Sequence, residues 1–122
     1  MEKTILVVDD FEGVRNLTKA ALEKVGYKVL TAEDGKAALQ HCNGIQKIDL
    51  IVSDYNMPIM DGLAFVKEVK KMSKYQFTPI LMVTTETKEE KKQSAFVEGI
   101  TGWIKKPYDI QQFLEIVKKA IK

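Results

Sequence analysis

The feature of this sequence that most limits its fold is a repeated change between two patterns of apolar residues. Continuous aliphatic runs, typical of strands buried on both faces, occur at Thr4–Val8, Asp49–Ser53 and Pro79–Val83. Two shorter strand-like segments lie at Tyr27–Ala32 and Thr101–Lys105. Each of these segments is followed by a stretch with apolar residues three and four positions apart, or by a polar stretch of helical composition. The five strand–helix units predict a parallel sheet with helices on both faces.

The predicted helices have recognisable boundaries. Gly26 ends the first helix, Asp34 or Gly35 begins the second, and Asp61 is the expected N-cap of the third. The fourth helix, Lys88–Val97, is almost wholly polar in its first two turns, which predicts weak packing. The residues expected to face the core are Val14, Leu17, Thr18, Ala21, Leu22 and Val25 in the first helix, and Ile110, Phe113, Leu114, Val117 and Ile121 in the last.

The length of 122 residues, without linkers, repeats or low-complexity segments, predicts one domain over residues 1–122 and no output domain. Right-handed crossovers would give a doubly wound α/β sandwich. The N-terminus does not resemble a signal peptide, and no apolar run approaches the roughly 20 residues of a membrane span. The single cysteine, Cys42, excludes an intramolecular disulfide. We therefore expect a cytoplasmic protein that does not act at a membrane.

Polar residues stand at the ends of four predicted strands. Asp9 and Asp10 follow the first strand, Asp54 the third, Thr84 the fourth and Lys106 the fifth. Because parallel strands end at one edge of a sheet, we expect these side chains to lie close together. Clustered carboxylates repel one another and call for a cation, and oxygen ligands suit Mg²⁺. A carboxylate beside Mg²⁺ and a fixed ammonium is placed to attack a phosphoryl group.

Other phosphate- and metal-binding motifs are missing from the sequence. The glycines that could belong to a phosphate loop, Gly35 and Gly62, stand alone, and no dinucleotide fingerprint occurs. The one histidine, His41, has no second histidine at ligand spacing and is expected at the surface. The edge of the sheet is therefore the candidate site.

The segments around that edge resemble the receiver domain of bacterial response regulators. The resemblance covers residues 4–121 and is closest to the stand-alone chemotaxis regulators. It implies a flavodoxin-like fold with five helices and the strand order 2-1-3-4-5. The motifs that carry it are Val7-Val8-Asp9-Asp10-Phe11, Asp54-Tyr55-Asn56-Met57-Pro58-Ile59-Met60-Asp61-Gly62, Met82-Val83-Thr84 and Lys105-Lys106-Pro107.

The resemblance implies a role for each site residue. Asp54 would accept a phosphoryl group from a histidine kinase. Asp10 would bind Mg²⁺ directly, Asp9 mainly through water, and Asn56 through its backbone carbonyl, with Asp54 completing the metal site. Lys106 would contact the phosphoryl oxygens, and its peptide bond to the following proline would be cis.

The resemblance also implies a switch, with some departures from the family pattern. Thr84 would move towards the phosphoryl group, and Trp103 occupies the position of an aromatic switch residue that is usually tyrosine, phenylalanine or histidine. Thr85 stands where alanine or glycine is common, and Ile100 replaces a small residue. Asn56 and Glu86 are the residue types found at these positions in fast-cycling chemotaxis regulators. A short phosphorylated lifetime is therefore expected.

The charge distribution indicates where a partner would bind. Ten acidic and seven basic residues give −3 over residues 1–61, whereas seven acidic and twelve basic residues give +5 over residues 62–122. The resemblance implies that the fourth helix, fifth strand and last helix form the family's usual output face. The lysines on this face would suit an acidic partner such as a flagellar motor switch component; solvated lysines are the alternative interpretation. A phosphatase is a further partner, and nucleic acid is disfavoured because the net charge is only +2. The basic residues of this output face are Lys88, Lys91, Lys92, Lys105, Lys118, Lys119 and Lys122.

Two other functions are weighed against a phosphorylation-activated signalling protein. A phosphorelay intermediate, which passes the group to another histidine, would use the same chemistry, and the sequence does not separate the two. A hydrolase of the haloacid dehalogenase type is disfavoured, because it needs an acid two residues beyond the nucleophile, where this chain has Asn56. We expect a monomer that is not an enzyme but catalyses its own phosphorylation and dephosphorylation.

Overall fold

A computed structural model describes residues 2–121 as a five-stranded parallel sheet flanked by five helices. The strand order is β2-β1-β3-β4-β5, so the predicted doubly wound, flavodoxin-like fold is confirmed. Within the described residues, no helix combines the length and the apolarity needed to cross a membrane. The strands are β1 (Thr4–Val8), β2 (Lys28–Ala32), β3 (Leu50–Ser53), β4 (Ile80–Thr84) and β5 (Gly102–Lys105), and the helices are α1 (Glu12–Lys24), α2 (Gly35–Cys42), α3 (Gly62–Lys70), α4 (Glu89–Glu98) and α5 (Ile110–Ala120).

The three central strands explain why the sheet is parallel. All residues of β1, β3 and β4 are buried, as expected for strands covered on both faces. Val8 pairs with Ser53, and Ser53 with Met82, so these strands end side by side. The residues that follow these strands therefore lie at the same edge of the sheet, which we call the carboxyl edge.

Helices pack on both sides of the sheet and form two apolar layers. Phe65, Val66 and Val69 of α3 bury one face, and Phe113 and Val117 of α5 bury the other. Fully burying a side chain of this size contributes about 1.5–3 kcal/mol. The predicted N-cap is confirmed, since the Asp61 carboxylate accepts a hydrogen bond from the Ala64 amide at 2.9 Å.

Three apolar residues predicted to face the core are exposed instead. Leu17 of α1 is 74% exposed, Val25 just after α1 is 53% exposed, and Ile110 is 40% exposed. The buried stripe of α1 is narrower than its apolar stripe because Thr18 and Leu22 occupy the contact with the sheet. The Thr18 hydroxyl tolerates burial by donating to the Val14 carbonyl at 2.9 Å.

His41 also differs from expectation. Its ring is half-buried rather than at the surface, and Nε2 lies 2.9 Å from the Thr31 carbonyl oxygen. The histidine therefore fastens α2 to the edge strand β2.

Helix α4 is weakly packed, as its polar first turns predicted. Ala95 is its only buried residue, whereas Phe96 is 40% and Val97 81% exposed. The helix ends at Gly99, whose φ of 118° lies in the left-handed region that glycine adopts readily. A helix with so little buried surface can be displaced at small energetic cost.

At the opposite edge of the sheet, which we call the amino edge, the Lys70 side chain holds the loop that leads into β4. The Lys70 ammonium donates to the carbonyls of Tyr75, Gln76 and Thr78 at 2.7–3.2 Å, and burial lowers its pKa. A groove of about 650 Å³ lies beside this loop, and its lining includes Lys3 and Ala120.

We expect the Cys42 thiol to be unreactive in the folded protein. Cys42 is 1% exposed, and burial raises its pKa to about 11, partly offset by the charge of Lys74. A disulfide reagent at mildly alkaline pH should find no thiol in the native protein and one in urea. Because the neutral thiol is favoured on folding, its contribution to stability is complete below the ordinary pKa of 9.0 and declines as the pH rises towards 11. Native labelling as fast as in urea would contradict this expectation.

Candidate functional site

Three aspartates meet at the carboxyl edge. Carboxylate oxygens of Asp9, Asp10 and Asp54 all lie within 4.8 Å of one another. The sheet places them there by extending its hydrogen bonds one residue beyond the strands. The Asp9 amide donates to the Ala32 carbonyl at 3.1 Å, and the Asp54 amide donates to the Val8 carbonyl at 2.9 Å.

Lys106 joins two of these carboxylates. Its ammonium lies 2.7 Å from Asp9 Oδ2 and 3.0 Å from Asp54 Oδ2. Burial lowers the pKa of Lys106, but the hydrogen bonds and charges of Asp9 and Asp54 together outweigh that effect, and the pKa is raised overall. The lysine is therefore held in its charged form beside Asp54. The peptide bond from Lys106 to Pro107 is cis, as the resemblance implied.

The remaining oxygens of the two buried aspartates are bound by backbone amides. Asp9 Oδ1 accepts from the Phe11 amide at 3.0 Å, and Asp54 Oδ1 accepts from the Tyr55 amide at 2.6 Å. Each carboxylate is thus fixed at both oxygens. Arg15 adds a second cation, since its guanidinium donates to the Asp9 carbonyl at 2.6 Å.

The composition of this cluster fits a divalent cation. Two unit charges about 4–5 Å apart interact by about 4 kcal/mol at an effective dielectric constant of 20, so three carboxylates are strongly self-repulsive. Lys106 neutralises only one of the three charges. Asp10 is exposed, and within residues 2–121 no side-chain hydrogen bond involves its carboxylate. A hard, oxygen-rich and partly hydrated site of this kind suits Mg²⁺.

The second wall of the site is a hydrogen-bonded group centred on Glu86. Thr84, which is fully buried, accepts a hydrogen bond from the Glu86 amide through Oγ1 at 3.2 Å. Glu86 Oε1 accepts from the Asn56 amide group at 3.2 Å and from the Lys91 ammonium at 3.0 Å. The Lys91 hydrogen bond, then the Lys88 amide and Asn56, hold the pKa of Glu86 at about 2. Thr85, between these residues, is exposed.

Trp103 stands at the end of a chain of contacts that starts beside Asp54. The Tyr55 and Trp103 ring centroids are 5.9 Å apart, with the rings tilted by 56°. The Lys91 ammonium lies 5.4 Å from the centre of the Tyr55 ring. The half-buried Trp103 also lines an open groove of about 240 Å³ together with Lys92 and Lys105.

The loop after Asp54 carries two unusual backbone features. Ile59 has a φ of 70°, in the left-handed region that disfavours β-branched residues. Gly62 packs so tightly on the preceding strand that a Cβ atom there would lie 2.3 Å from the Asp54 carbonyl oxygen. The Gly62 amide also donates to the Tyr55 carbonyl at 2.7 Å. The start of α3 thus supports the backbone of Asp54 directly.

The structure brings together all the residues singled out by the sequence at this edge. Asp9, Asp54 and Lys106 are in direct contact, Asp10 adjoins them, and Thr84 and Asn56 reach the same region through Glu86. Ile100 is buried away from these contacts, at 6% exposure. Of the output-face lysines, Lys122 lies outside the described residues.

Three contacts of the site were not predicted from the sequence. The bonds of Arg15 to Asp9, of Lys91 to Glu86, and the packing of Tyr55 against Trp103 emerge only from the structure. Arg15 could have been noticed, because it is the sole arginine of the chain and lies five residues after Asp10. Lys91 offers no such signal, since it is one of several lysines around α4.

Comparisons with known proteins agree over nearly the whole chain. The family model for the response regulator receiver domain matches residues 5–118. Chemotaxis protein CheY1 of Helicobacter pylori is 35% identical over 117 residues, which is 93% of this chain and 94% of that protein. The chemotaxis protein CheY homolog of Campylobacter jejuni is 37% identical over 118 residues, covering 96% and 91%. The solved structure of the chemotaxis response regulator CheY4 of Vibrio cholerae has a TM-score of 0.92 and 42% identity, covering 99% of this chain and 100% of that one.

Proposed function

Because this chain belongs to the response regulator receiver domain family of two-component signalling, we propose that it is a phosphorylation-activated switch in which Asp54 is the phosphoacceptor. The observation that carries the proposal is the contact of Lys106 with both Asp9 and Asp54, which fixes a cation beside the carboxylate. A signalling role rather than catalytic turnover of a substrate follows from the family.

The proposed reaction is a transfer from a histidine kinase. A carboxylate oxygen of Asp54 attacks the phosphorus of phosphohistidine, the new O–P bond forms, and the P–N bond breaks. Its electron pair stays on the imidazole nitrogen, which takes a proton from water. Lys106 offers its ammonium to the phosphoryl oxygens as charge develops on them. The group is lost when water attacks phosphorus and Asp54 is released as a carboxylate.

Asp9, Asp10 and Asp54, with the backbone carbonyl of Asn56, are the residues that would hold Mg²⁺. A bound Mg²⁺ supplies charge neutralisation for the phosphoryl oxygens. The chain itself supplies the geometry, because amides of Phe11 and Tyr55 hold the buried carboxylates in place.

We propose that Thr84 and Trp103 convert phosphorylation into a change of surface. The added phosphoryl group brings about −1.5 to −2 charge at pH 7. In the structure, the Thr84 hydroxyl oxygen accepts a hydrogen bond from the Glu86 amide. Turning the hydroxyl towards the phosphoryl group would break this hydrogen bond. That loosens the segment leading into the weakly packed α4, and Trp103 can then turn beside the open groove.

The output in this proposal is protein binding at the face formed by α4, β5 and α5. Its exposed lysines, which include Lys88, Lys105 and Lys118, favour an acidic partner. The similarity to chemotaxis proteins makes a flagellar motor switch component the candidate target, with a histidine kinase as donor and a phosphatase as a further partner.

The test is phosphorylation by acetyl phosphate, followed by intact mass and by tryptophan emission. With Mg²⁺ the protein should gain one phosphoryl group, and the emission of its single tryptophan, Trp103, should change. The gain should be absent in Asp54→Ala and when EDTA removes the metal. If the wild-type protein gains no mass with acetyl phosphate or a phosphorylated kinase, the phosphoacceptor proposal is wrong. A mass gain with unchanged emission removes Trp103 from the switch.

A further inference from the structure

Lys91 joins helix α4 to the loops of the phosphorylation site. Its ammonium lies 3.0 Å from Glu86 Oε1, and the same oxygen accepts the Asn56 amide group at 3.2 Å. Lys91 also lies over the ring of Tyr55, the residue after Asp54, at 5.4 Å from its centre. One α4 side chain therefore contacts residues on both sides of the site.

The Glu86 carboxylate is fixed by these contacts and by its own backbone. While Oε1 receives Asn56 and Lys91, Oε2 accepts from the amides of Thr87 and Lys88, each at 3.1 Å. Only 10% of the Glu86 side chain is exposed. Asn56 itself is exposed, and Glu86 is the described partner of its side-chain amide. The orientation of Asn56 thus depends on Glu86. Among the described residues, Lys91 is the cation paired with Glu86, and it binds the same oxygen, Oε1, that receives Asn56.

We propose that Lys91 is a positioning residue that shortens the life of the phosphoryl group on Asp54 by holding Glu86 against Asn56. The inference rests on the proposed phosphorylation of Asp54. It assigns to an α4 lysine a role in the loss of the group, in addition to any role in partner docking.

The physical argument concerns the water that removes the group. This water must approach phosphorus opposite the bond to Asp54. In this proposal its path passes Asn56 and Glu86, the hydrogen-bonded pair that lies two residues after Asp54 and Thr84. An amide and a carboxylate held together can orient it, and orientation of a reactant lowers the barrier. Without Lys91, the Glu86 charge faces a newly phosphorylated Asp54 uncompensated. Repulsion would then draw Glu86 Oε1 away from Asn56, although two backbone amides still hold Oε2, and Asn56 would lose its partner.

The same contact couples the lifetime to the position of α4. Because Ala95 is the only buried residue of this helix, α4 can shift with little loss of packing. A partner that draws Lys91 away from Glu86 would therefore prolong the phosphorylated state to which it binds. Because such coupling is reciprocal, phosphorylation also favours binding of this partner.

The experiment measures how fast the phosphoryl group is lost. Wild type, Lys91→Met and Lys91→Arg are loaded with acetyl phosphate and Mg²⁺, the donor is removed, and intact mass is followed with time. Lys71→Met is the matched control, because Lys71 also forms a 3.0 Å ion pair, with Glu68, but at the end of α3. Lys91→Met should lengthen the half-life by about 3- to 10-fold, the modest loss expected for one orienting group. Lys91→Arg should restore it, and Lys71→Met should not change it.

Repeating the substitution in the Asn56→Ala variant separates a positioning role of Lys91 from a general loosening of the fold. In Asn56→Ala, the further change Lys91→Met should have no additional effect on the half-life, since the two residues act through one contact. The inference is overturned if Lys91→Met leaves the half-life unchanged. It is also overturned if Lys91→Met has the same effect in the wild type and in Asn56→Ala. In either case the phosphoacceptor proposal stands. Absence of any mass gain in the wild type overturns the phosphoacceptor proposal, and this inference with it.

Discussion

Replacing Lys106 with methionine is expected to slow phosphorylation of Asp54 by acetyl phosphate by about 100- to 1,000-fold, the cost of removing one preorganised donor from developing charge. Methionine keeps most of the side-chain volume but removes the ammonium that lies 3.0 Å from Asp54 Oδ2 and 2.7 Å from Asp9 Oδ2. The two buried carboxylates would then face each other without their shared cation. The measurement is the initial rate of mass gain at saturating Mg²⁺.

Lys36→Met is the control for this prediction. Lys36 is an exposed lysine of α2, and no carboxylate partner is found for it among residues 2–121, so the variant makes the same chemical change without touching the site. Its rate should match the wild type. A Lys106→Met rate within a few-fold of the wild type would show that the ammonium does not stabilise the transferring group.

Replacing Gly62 with alanine is expected to lower the free energy of unfolding by about 3 kcal/mol, the upper range for overpacking. The added Cβ would lie 2.3 Å from the Asp54 carbonyl oxygen and 2.9 Å from the Tyr55 Cα. Both are backbone atoms, so neither can turn away as a flexible side chain could. Relief requires a shift of the Asp54 backbone, and phosphorylation should therefore slow as well. Urea unfolding followed by circular dichroism gives the free energy.

Gly13→Ala provides the opposite case in the same experiment. Gly13 lies in α1, and an added Cβ would meet nothing within 4 Å. Alanine should therefore raise the stability by about 0.5 kcal/mol through its better helix propensity. Equal effects of the two substitutions would mean that the contact of Gly62 with the Asp54 backbone is not a structural constraint.

The fold was predictable because the local patterns in this sequence agree with one another. Continuous apolar runs of four or five residues, each ended by a polar residue, favour strands with both faces covered, and β1, β3 and β4 are buried throughout. The meeting of Asp9, Asp54 and Lys106 followed from the same reasoning, since each residue comes directly after a parallel strand. The strand order came from the resemblance to a known family, because apolar patterns alone do not say which strands are neighbours.

The rest of the site depends on contacts that a linear sequence does not encode. Tyr55 meets Trp103 across the intervening strand β4, at a separation set by sheet order and loop shape. Lys91 differs from Lys88 and Lys92 only by its angle around α4, and that angle selects Glu86 as its partner. The exposure of Leu17 was not predictable for a similar reason. An apolar pattern shows which side of a helix faces the core, but not how much of that side the neighbouring elements cover.

The amino edge of the sheet has a practical consequence for handling this protein. Lys3, just before β1, and Ala120, at the end of α5, both line the groove at that edge. The three aspartates of the site and Lys106 lie at the carboxyl edge, at the other end of the strands. A surface, a dye or a fused protein attached at Lys3 or Ala120 would thus be held on the side remote from Asp54. Immobilised at one of these residues, the protein should present its reactive edge to solution.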